Sequence, residues 1–383
     1  MHMQQTKVEI PQCRYLHIVP KNGGGNFLTN LTKIFAKYPL EHRISEHVFV
    51  TADRTFFENH AQECKVFYFD MEEVDMINCF ADRAEYVFVH GFFVSWRRIL
   101  QIHSKHLSKI IWRTWGADLK TPDYYRVNAL NRMYLTLCFK LFVKRVRRFR
   151  MVGVANLVDE IKLETLFGKG LKLWRIPYTD TEKSNALYEK YNNKPRTDTR
   201  LRVMVGHSGY SDDHHIELLE QLKAFWDEDI VISMIMSYGN ADYIEKVRAY
   251  VTEHFGEDHP KVEWISEKMP YEEYLEYLLT TDVVLFDMVN SAALGNLAPL
   301  VYFNKKIYLN RAGDIKAAFD ASGLLHGCCD EIAGQTFAEF SAPLLNTEEN
   351  KRNLFAFRKE YSRDQWKMLL EKLDEETGEV GKE

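Results

Sequence analysis

Along the first half of the chain, short uninterrupted apolar runs alternate with stretches of helical pattern. Tyr15–Val19, His47–Thr51, Lys65–Phe69, Tyr86–Val89 and Ile110–Trp112 read as strands, and Phe27–Tyr38 reads as the first connecting helix. Met151–Val154 and Leu171–Trp174 add two further strands. From Tyr178 to Arg200 the chain turns polar and loses its period, with Asn192-Asn193-Lys194-Pro195 near its end, so a linker is expected over 178–200. The alternation restarts at Leu201–Val205. It continues as helix Ser211–Trp226, strand Ile230–Ile235, helix Ala241–Phe255, strand Lys261–Ile265, helix Pro270–Leu279, strand Asp282–Phe286, a helix near Ala292–Tyr302 and strand Ile307–Leu309. Strands alternating with helices predict the α/β class and doubly wound parallel sheets, which bind ligands beyond the carboxyl ends of their strands. The expected organisation is one domain over 1–177, a second over 201–345, a cleft between them, and a charged helical tail over 346–383 packing back across both.

Composition narrows the function. The 383 residues, 46% hydrophobic and 27% charged, are too apolar for a disordered chain and too polar for a multispanning one. With 50 Lys+Arg against 55 Asp+Glu the net charge is -5, which gives a nucleic-acid backbone no global reason to bind. Six cysteines form no C-x-x-C pair, which suits reduced thiols, and Met1–Gln5 lacks the basic start and apolar run of a secretory signal. A cytoplasmic location is therefore expected. The uncharged stretch Met288–Asn304 is interrupted by Asn290, Ser291, Asn296 and Pro299, and reads as a loop and a buried helix.

The charge is uneven. Between Tyr124 and Val158 there is no Asp or Glu, while Arg126, Arg132, Lys140, Lys144, Arg145, Arg147, Arg148 and Arg150 all fall there. On a helix, Lys140, Lys144, Arg147 and Arg148 cluster on one face, with Leu135, Phe139, Phe142, Val146 and Phe149 opposite. Such a face suits anionic lipid headgroups, and it equally suits the solvated exterior of a core helix.

Glycine-rich turns supply the candidate chemistry. Lys21-Asn22-Gly23-Gly24-Gly25-Asn26 follows the first strand, and Gly206-His207-Ser208-Gly209-Tyr210 joins a strand to a helix start at Ser211 or Asp212. Gly206 and Gly209 would bare the backbone, and His207 and Ser208 would donate to phosphate oxygens. Ser291–Leu297 opens another helix at the same expected sheet edge; Gly295 there could instead serve close helix packing. Asp212-Asp213-His214-His215 and Asp227-Glu228-Asp229 read as a capping segment and a solvated turn, because neighbouring helical residues diverge by about 100° and cannot share an ion. His90-Gly91 ends one strand and Asp118 follows another, where His90 fits a core position, Asp118 a cap, and Trp115 either core packing or a sugar ring. No G-x-S-x-G or Walker loop is present.

Taken together, His90-Gly91, Trp115-Gly-Ala-Asp-Leu119, Val205-Gly206 with Ser208-Gly209, His215-Ile216, Tyr243-Ile-Glu with Val247-Arg248, Ser266-Glu267-Lys268 with Tyr274-Leu275, Gly295 with Leu297, and Leu309-Asn310-Arg311 resemble glycosyltransferase family 56. These are the 4-acetamido-4,6-dideoxygalactose transferases of enterobacterial common antigen type. The likeness runs from about Tyr15 to Phe319, and departs from the family pattern at Gly23–Gly25, His207 and Ser291–Ala293. It implies a GT-B fold of two Rossmann-like domains, without cofactor or metal. The second domain would hold a nucleotide-diphosphate sugar, dTDP-linked, through Gly206, His207, Ser208, Gly209, Tyr238, Lys268, Gly295, Asn296 and Arg311. Gly24, Asn26 and Trp115 would meet a polyprenyl-diphosphate-linked saccharide, with Asp118 or His90 as its base. Lys140, Lys144, Arg147 and Arg148 would then dock the enzyme, as a peripheral protein, on the cytoplasmic side of the inner membrane. Two rival functions fit the same pattern: a GT-B-type sugar-nucleotide 2-epimerase, which needs no acceptor, and a non-catalytic sugar-nucleotide binding module.

Overall fold

A computed structural model describes residues 9–21, 30–31, 33–34, 41–62, 64–116, 118–122, 125, 127–178, 181–192, 200–256, 259–359, 362 and 364–377. The chain divides into two compact units, one of residues 1–180 with 360–383 and one of residues 181–359.

Among the described residues of the first unit, seven parallel strands stand in the order β3-β2-β1-β4-β5-β6-β7. They are β1 (Cys13–Val19), β2 (His47–Thr51), β3 (Lys65–Tyr68), β4 (Ala84–His90), β5 (Ile110–Arg113), β6 (Met151–Val154) and β7 (Leu173–Arg175). The sequence placed all seven, with β7 shifted toward its carboxyl end. The helices between them begin where a short polar side chain caps the first turn. Asp53 accepts from the Phe56 N–H, Asn128 from Asn131 and Asn156 from Asp159.

The second unit holds six parallel strands in the order β10-β9-β8-β11-β12-β13: β8 (Leu201–Val205), β9 (Ile230–Ile235), β10 (Val262–Ile265), β11 (Val283–Phe286), β12 (Lys306–Leu309) and β13 (Gly327–Cys328). Side chains alternate across a strand, so Val203 and Val205 pack on one face with Val283 and Leu285, while Met204 packs on the other with Val284 and Phe286. Both faces are buried, which is why these strands read as continuous apolar runs.

The boundaries differ from expectation. Thr181–Asn192, expected within a linker, is a helix whose Tyr188 and Tyr191 are buried in the core of the second unit. Residues 193–199 lie outside the described residues. The tail splits: Leu354 of helix Thr347–Lys359 joins the second unit's core, while Trp366, Leu369, Leu370 and Leu373 of helix Asp364–Thr377 are fully buried in the first. Both segments look polar because a helix lying on a core needs only one apolar stripe.

Candidate functional site

The strand order locates the site in each unit. In the second unit the chain leaves β8 toward β9 on one side, and β11 lies on the other. The loops after β8 and β11 therefore flank the switch point, where open α/β sheets take ligands.

After β8 comes the Gly206–Gly209 turn. Gly206 has φ +67°, and a Cβ there would stand 2.4 Å from the His215 ring. Gly209 lies against the side chain of Ile244, and bridges to Gly239. These glycines permit close packing of one loop on the next. The amides of the turn are all committed within the protein. Gly206 N–H donates to Leu285 and Gly209 N–H to Tyr238, while the N–H groups of His207 and Ser208 donate to the buried carboxylate of Asp213. Asp213 also accepts from Ser208 Oγ at 2.6 Å and His207 Nδ1 at 2.8 Å. In the turn expected to cradle a phosphate, the protein's own groups thus take the N–H donors: the Asp213 carboxylate those of His207 and Ser208, and backbone carbonyls those of Gly206 and Gly209.

What that carboxylate does instead is hold His207. With a buried acceptor at Nδ1, the proton sits on Nδ1, and Nε2 is left without a partner among the described residues. The ring stands edge-on to Phe286 and to Tyr238, with centroids 6.3 and 6.2 Å away. Tyr238 and Tyr210 are exposed neighbours, and Lys268 Nζ lies 5.7 Å from the Tyr238 ring. Beside them His214 Nδ1 lies 3.1 Å from Asp287 Oδ2, and Asn310 Nδ2 donates to Asp287 Oδ1.

Helix Leu294–Tyr302 starts at the same edge after β11. Ala293 precedes it with φ +54°, and no side chain caps it. A Cβ added at exposed Gly295 would meet nothing within 4 Å, so close packing is not why glycine stands there. Asn296 is half-buried in this first turn. Arg311 departs from expectation: its guanidinium bonds both Asp330 carboxylate oxygens and Glu331, which neutralise it before any ligand arrives. Cys328 joins these two acids in a cluster of ligand atoms within 4.8 Å of one another, with Arg311 bound to the same carboxylates.

In the first unit the switch point lies between β1 and β4. The Gly23–Gly25 loop, with Gly24 and Asn26, lies outside the described residues. His90 ends β4 and is fully buried. Its Nε2 lies 2.8 Å from His17 Nδ1, His17 Nε2 lies 2.8 Å from His47 Nδ1, and its own Nδ1 bonds the Tyr178 hydroxyl. Burial holds all three imidazoles neutral, His17 down at about 3.

Asp118 is buried too. It accepts from Trp115 N–H at 2.8 Å, Trp112 Nε1 at 3.0 Å and Phe92 N–H at 3.1 Å, stapling the loop after β5 to the loop after β4. Burial pushes its carboxyl above the ordinary range, against the pull of those donors. His90 and Asp118 stand along the strands where the sequence puts them, and in this structure their polar atoms are bonded within the first unit. Gly91, at φ +88°, lets the Phe93 and Trp115 rings approach, and these present an exposed and a half-buried aromatic face respectively.

The family model described as 4-alpha-L-fucosyltransferase glycosyl transferase group 56 matches residues 33–375. The chain belongs to glycosyltransferase family 56. Solved structures similar to this family 56 chain include HepE from Anabaena in complex with UDP, 11% identical, covering 94% of this chain and 100% of its own, with a TM-score of 0.63. A glycosyltransferase from Rickettsia africae is 12% identical over 96% of this chain and 99% of its own, TM-score 0.57. An alpha,alpha-trehalose-phosphate synthase (UDP-forming) from Burkholderia vietnamiensis is 12% identical over 93% and 98%, TM-score 0.56. With two parallel α/β sheets, the family 56 chain has the GT-B fold and is a hexosyltransferase.

Sequence reasoning passed over Asp213, Asp287 and Tyr210 in the second unit, and Phe93, Tyr178, His17 and His47 in the first. Asp213 looked like a helix cap because it sits where a cap belongs; an acid six residues after a loop histidine was the available signal.

Proposed function

We propose that this enzyme transfers an amino-deoxyhexose, Fuc4NAc-like, from a dTDP-linked donor to a polyprenyl-diphosphate-linked saccharide, as a peripheral protein on the cytoplasmic side of the inner membrane. The observation that carries the reading is the oriented His207–Asp213 pair beside an uncapped helix start at the switch point of the second sheet. The N–H groups opening helix Leu294–Tyr302 face a diphosphate with the positive end of the helix dipole. The aromatic pair Tyr210 and Tyr238 offers the base a stacking surface, with Lys268 at its rim. Asp213 orients the His207 ring through Nδ1, and in the imidazolium form Nε2–H donates to the departing phosphate oxygen. On the first unit, Phe93 and Trp115 supply aromatic faces for the acceptor sugar.

The bound UDP and UDP-glucose of the Anabaena structures support a nucleotide-sugar donor by likeness of fold. The test is product analysis of dTDP-amino-deoxyhexose incubated with a short-chain polyprenyl-diphosphate saccharide, with and without chelator. Glycosylated lipid formed only with acceptor present, at a rate unaffected by EDTA, is expected. His207→Asn should lower turnover by roughly ten- to a thousandfold with donor affinity little changed. Isomerised donor formed without acceptor would select the epimerase instead, and donor binding without turnover the binding module.

A further inference from the structure

Helix Ala129–Val146 is apolar on two sides, and one of them is uncovered. Cys138, Phe142 and Val146 face inward, with the Phe142 ring 5.7 Å from Trp112 and 5.6 Å from Phe167. On the outer side Leu130, Met133, Tyr134, Leu137 and Leu141 are 74, 68, 50, 57 and 45% exposed. At about 100° per residue these five positions fall within a band roughly 100° wide, a helical stripe about 16 Å long. Single exposed leucines are ordinary, whereas five large apolar side chains on one stripe mark an interaction surface.

The stripe has a charged continuation. Lys144 and Arg148 follow on the same band toward the carboxyl end, with Lys140 and Arg147 along its flank, and all four are exposed. None of the four is paired with a carboxylate among the described residues; Arg147 donates to the Phe167 carbonyl. No helix among the described residues is long and apolar enough to cross a membrane.

We propose that this helix lies in the surface of an anionic bilayer, with Leu130, Met133, Leu137 and Leu141 entering the acyl boundary and Lys144, Arg147 and Arg148 on the headgroup phosphates. Charge complementarity selects this occupant: a second copy of the chain would bring the same unneutralised cations to the face, whereas lipid phosphates neutralise them. The inference rests on the peripheral location proposed above and deepens it, since contact through the basic residues alone requires no insertion.

Sedimentation of the full-length protein with phosphatidylcholine vesicles, with and without phosphatidylglycerol, tests it. Wild type should bind the anionic vesicles and keep part of that binding in high salt. The double variant Leu137→Asp with Leu141→Asp should bind roughly tenfold or more weakly even in low salt, with its melting temperature unchanged because both side chains are exposed. Tryptophan in the Tyr134→Trp variant should be quenched by brominated acyl chains beyond the wild-type level. If the Leu137 and Leu141 variant binds like wild type while Lys144→Glu with Arg148→Glu does not, insertion is overturned and electrostatic docking stands. If wild type binds neither vesicle, both readings fall. A dimer abolished by the leucine changes, without vesicle binding, would assign the stripe to a second copy.

Discussion

Three histidines in the core of the first unit share one hydrogen-bonded line, with His17 sandwiched between Phe49 and Phe88 at centroid distances of 4.5 and 4.8 Å. Each imidazole can donate from one nitrogen and accept at the other, so three neutral rings satisfy the line, and burial disfavours adding a charge to it. Their folded-state pKa values lie below the unfolded value near 6.5, so the unfolded chain binds more protons in acid. Stability should therefore be full above about pH 6.5 and fall as the pH drops from there. His17 alone contributes about 1.4 kcal/mol per pH unit down to about 3. Denaturant titrations between pH 7.5 and pH 5, taken as roughly the range where histidine responds, check this. His17→Phe should lower stability at neutral pH, because its two neighbours lose a partner, and reduce the pH slope by one proton; an unchanged slope would refute the linkage. None of this was legible in the sequence, where His17 and His47 are ordinary members of apolar runs and only sheet register brings them beside His90.

At the scale of elements, the glycine turns separate into two kinds. Gly206 combines a positive φ with a ring 2.4 Å from where a Cβ would stand, so Gly206→Ala should cost about 1–3 kcal/mol and displace His215. Gly295 has open space around it in the first turn of a helix, so Gly295→Ala should leave thermal stability equal or slightly raised while weakening nucleotide binding. Thermal melts with and without dTDP compare the two; equal nucleotide affinity in Gly295→Ala would remove that helix start from the donor site. The sequence read Gly206 as baring the backbone and left Gly295 between a helix start at the donor and close helix packing; it could not show what approaches Gly206, because that group is His215, nine residues downstream. The helix around Lys140 was legible as basic and amphipathic. Its outer stripe was hidden because Leu137 and Leu141 share their azimuth with Lys144 and Arg148.

For the whole molecule, twelve of the strands follow the apolar runs, because buried parallel strands need little besides apolar residues. The short β13 and the unit boundaries escaped, since membership of a unit is decided by contacts far apart in sequence. Trp366, Leu369, Leu370 and Leu373 are fully buried, and loss of each such side chain costs about 2–5 kcal/mol, together comparable to a typical total stability of 5–15 kcal/mol. A chain ending at Lys359 should thus keep a folded, nucleotide-binding second unit and lose the first. Two-step proteolysis or hydrogen exchange would reveal this, and protection retained over β1–β7 would contradict it. During synthesis the same arrangement reverses the usual order of maturation. The ribosome delivers everything residues 181–359 need before it delivers the keystone of the earlier sheet, so the half made first is the half completed last, and its open face must be shielded until helix Asp364–Thr377 has emerged.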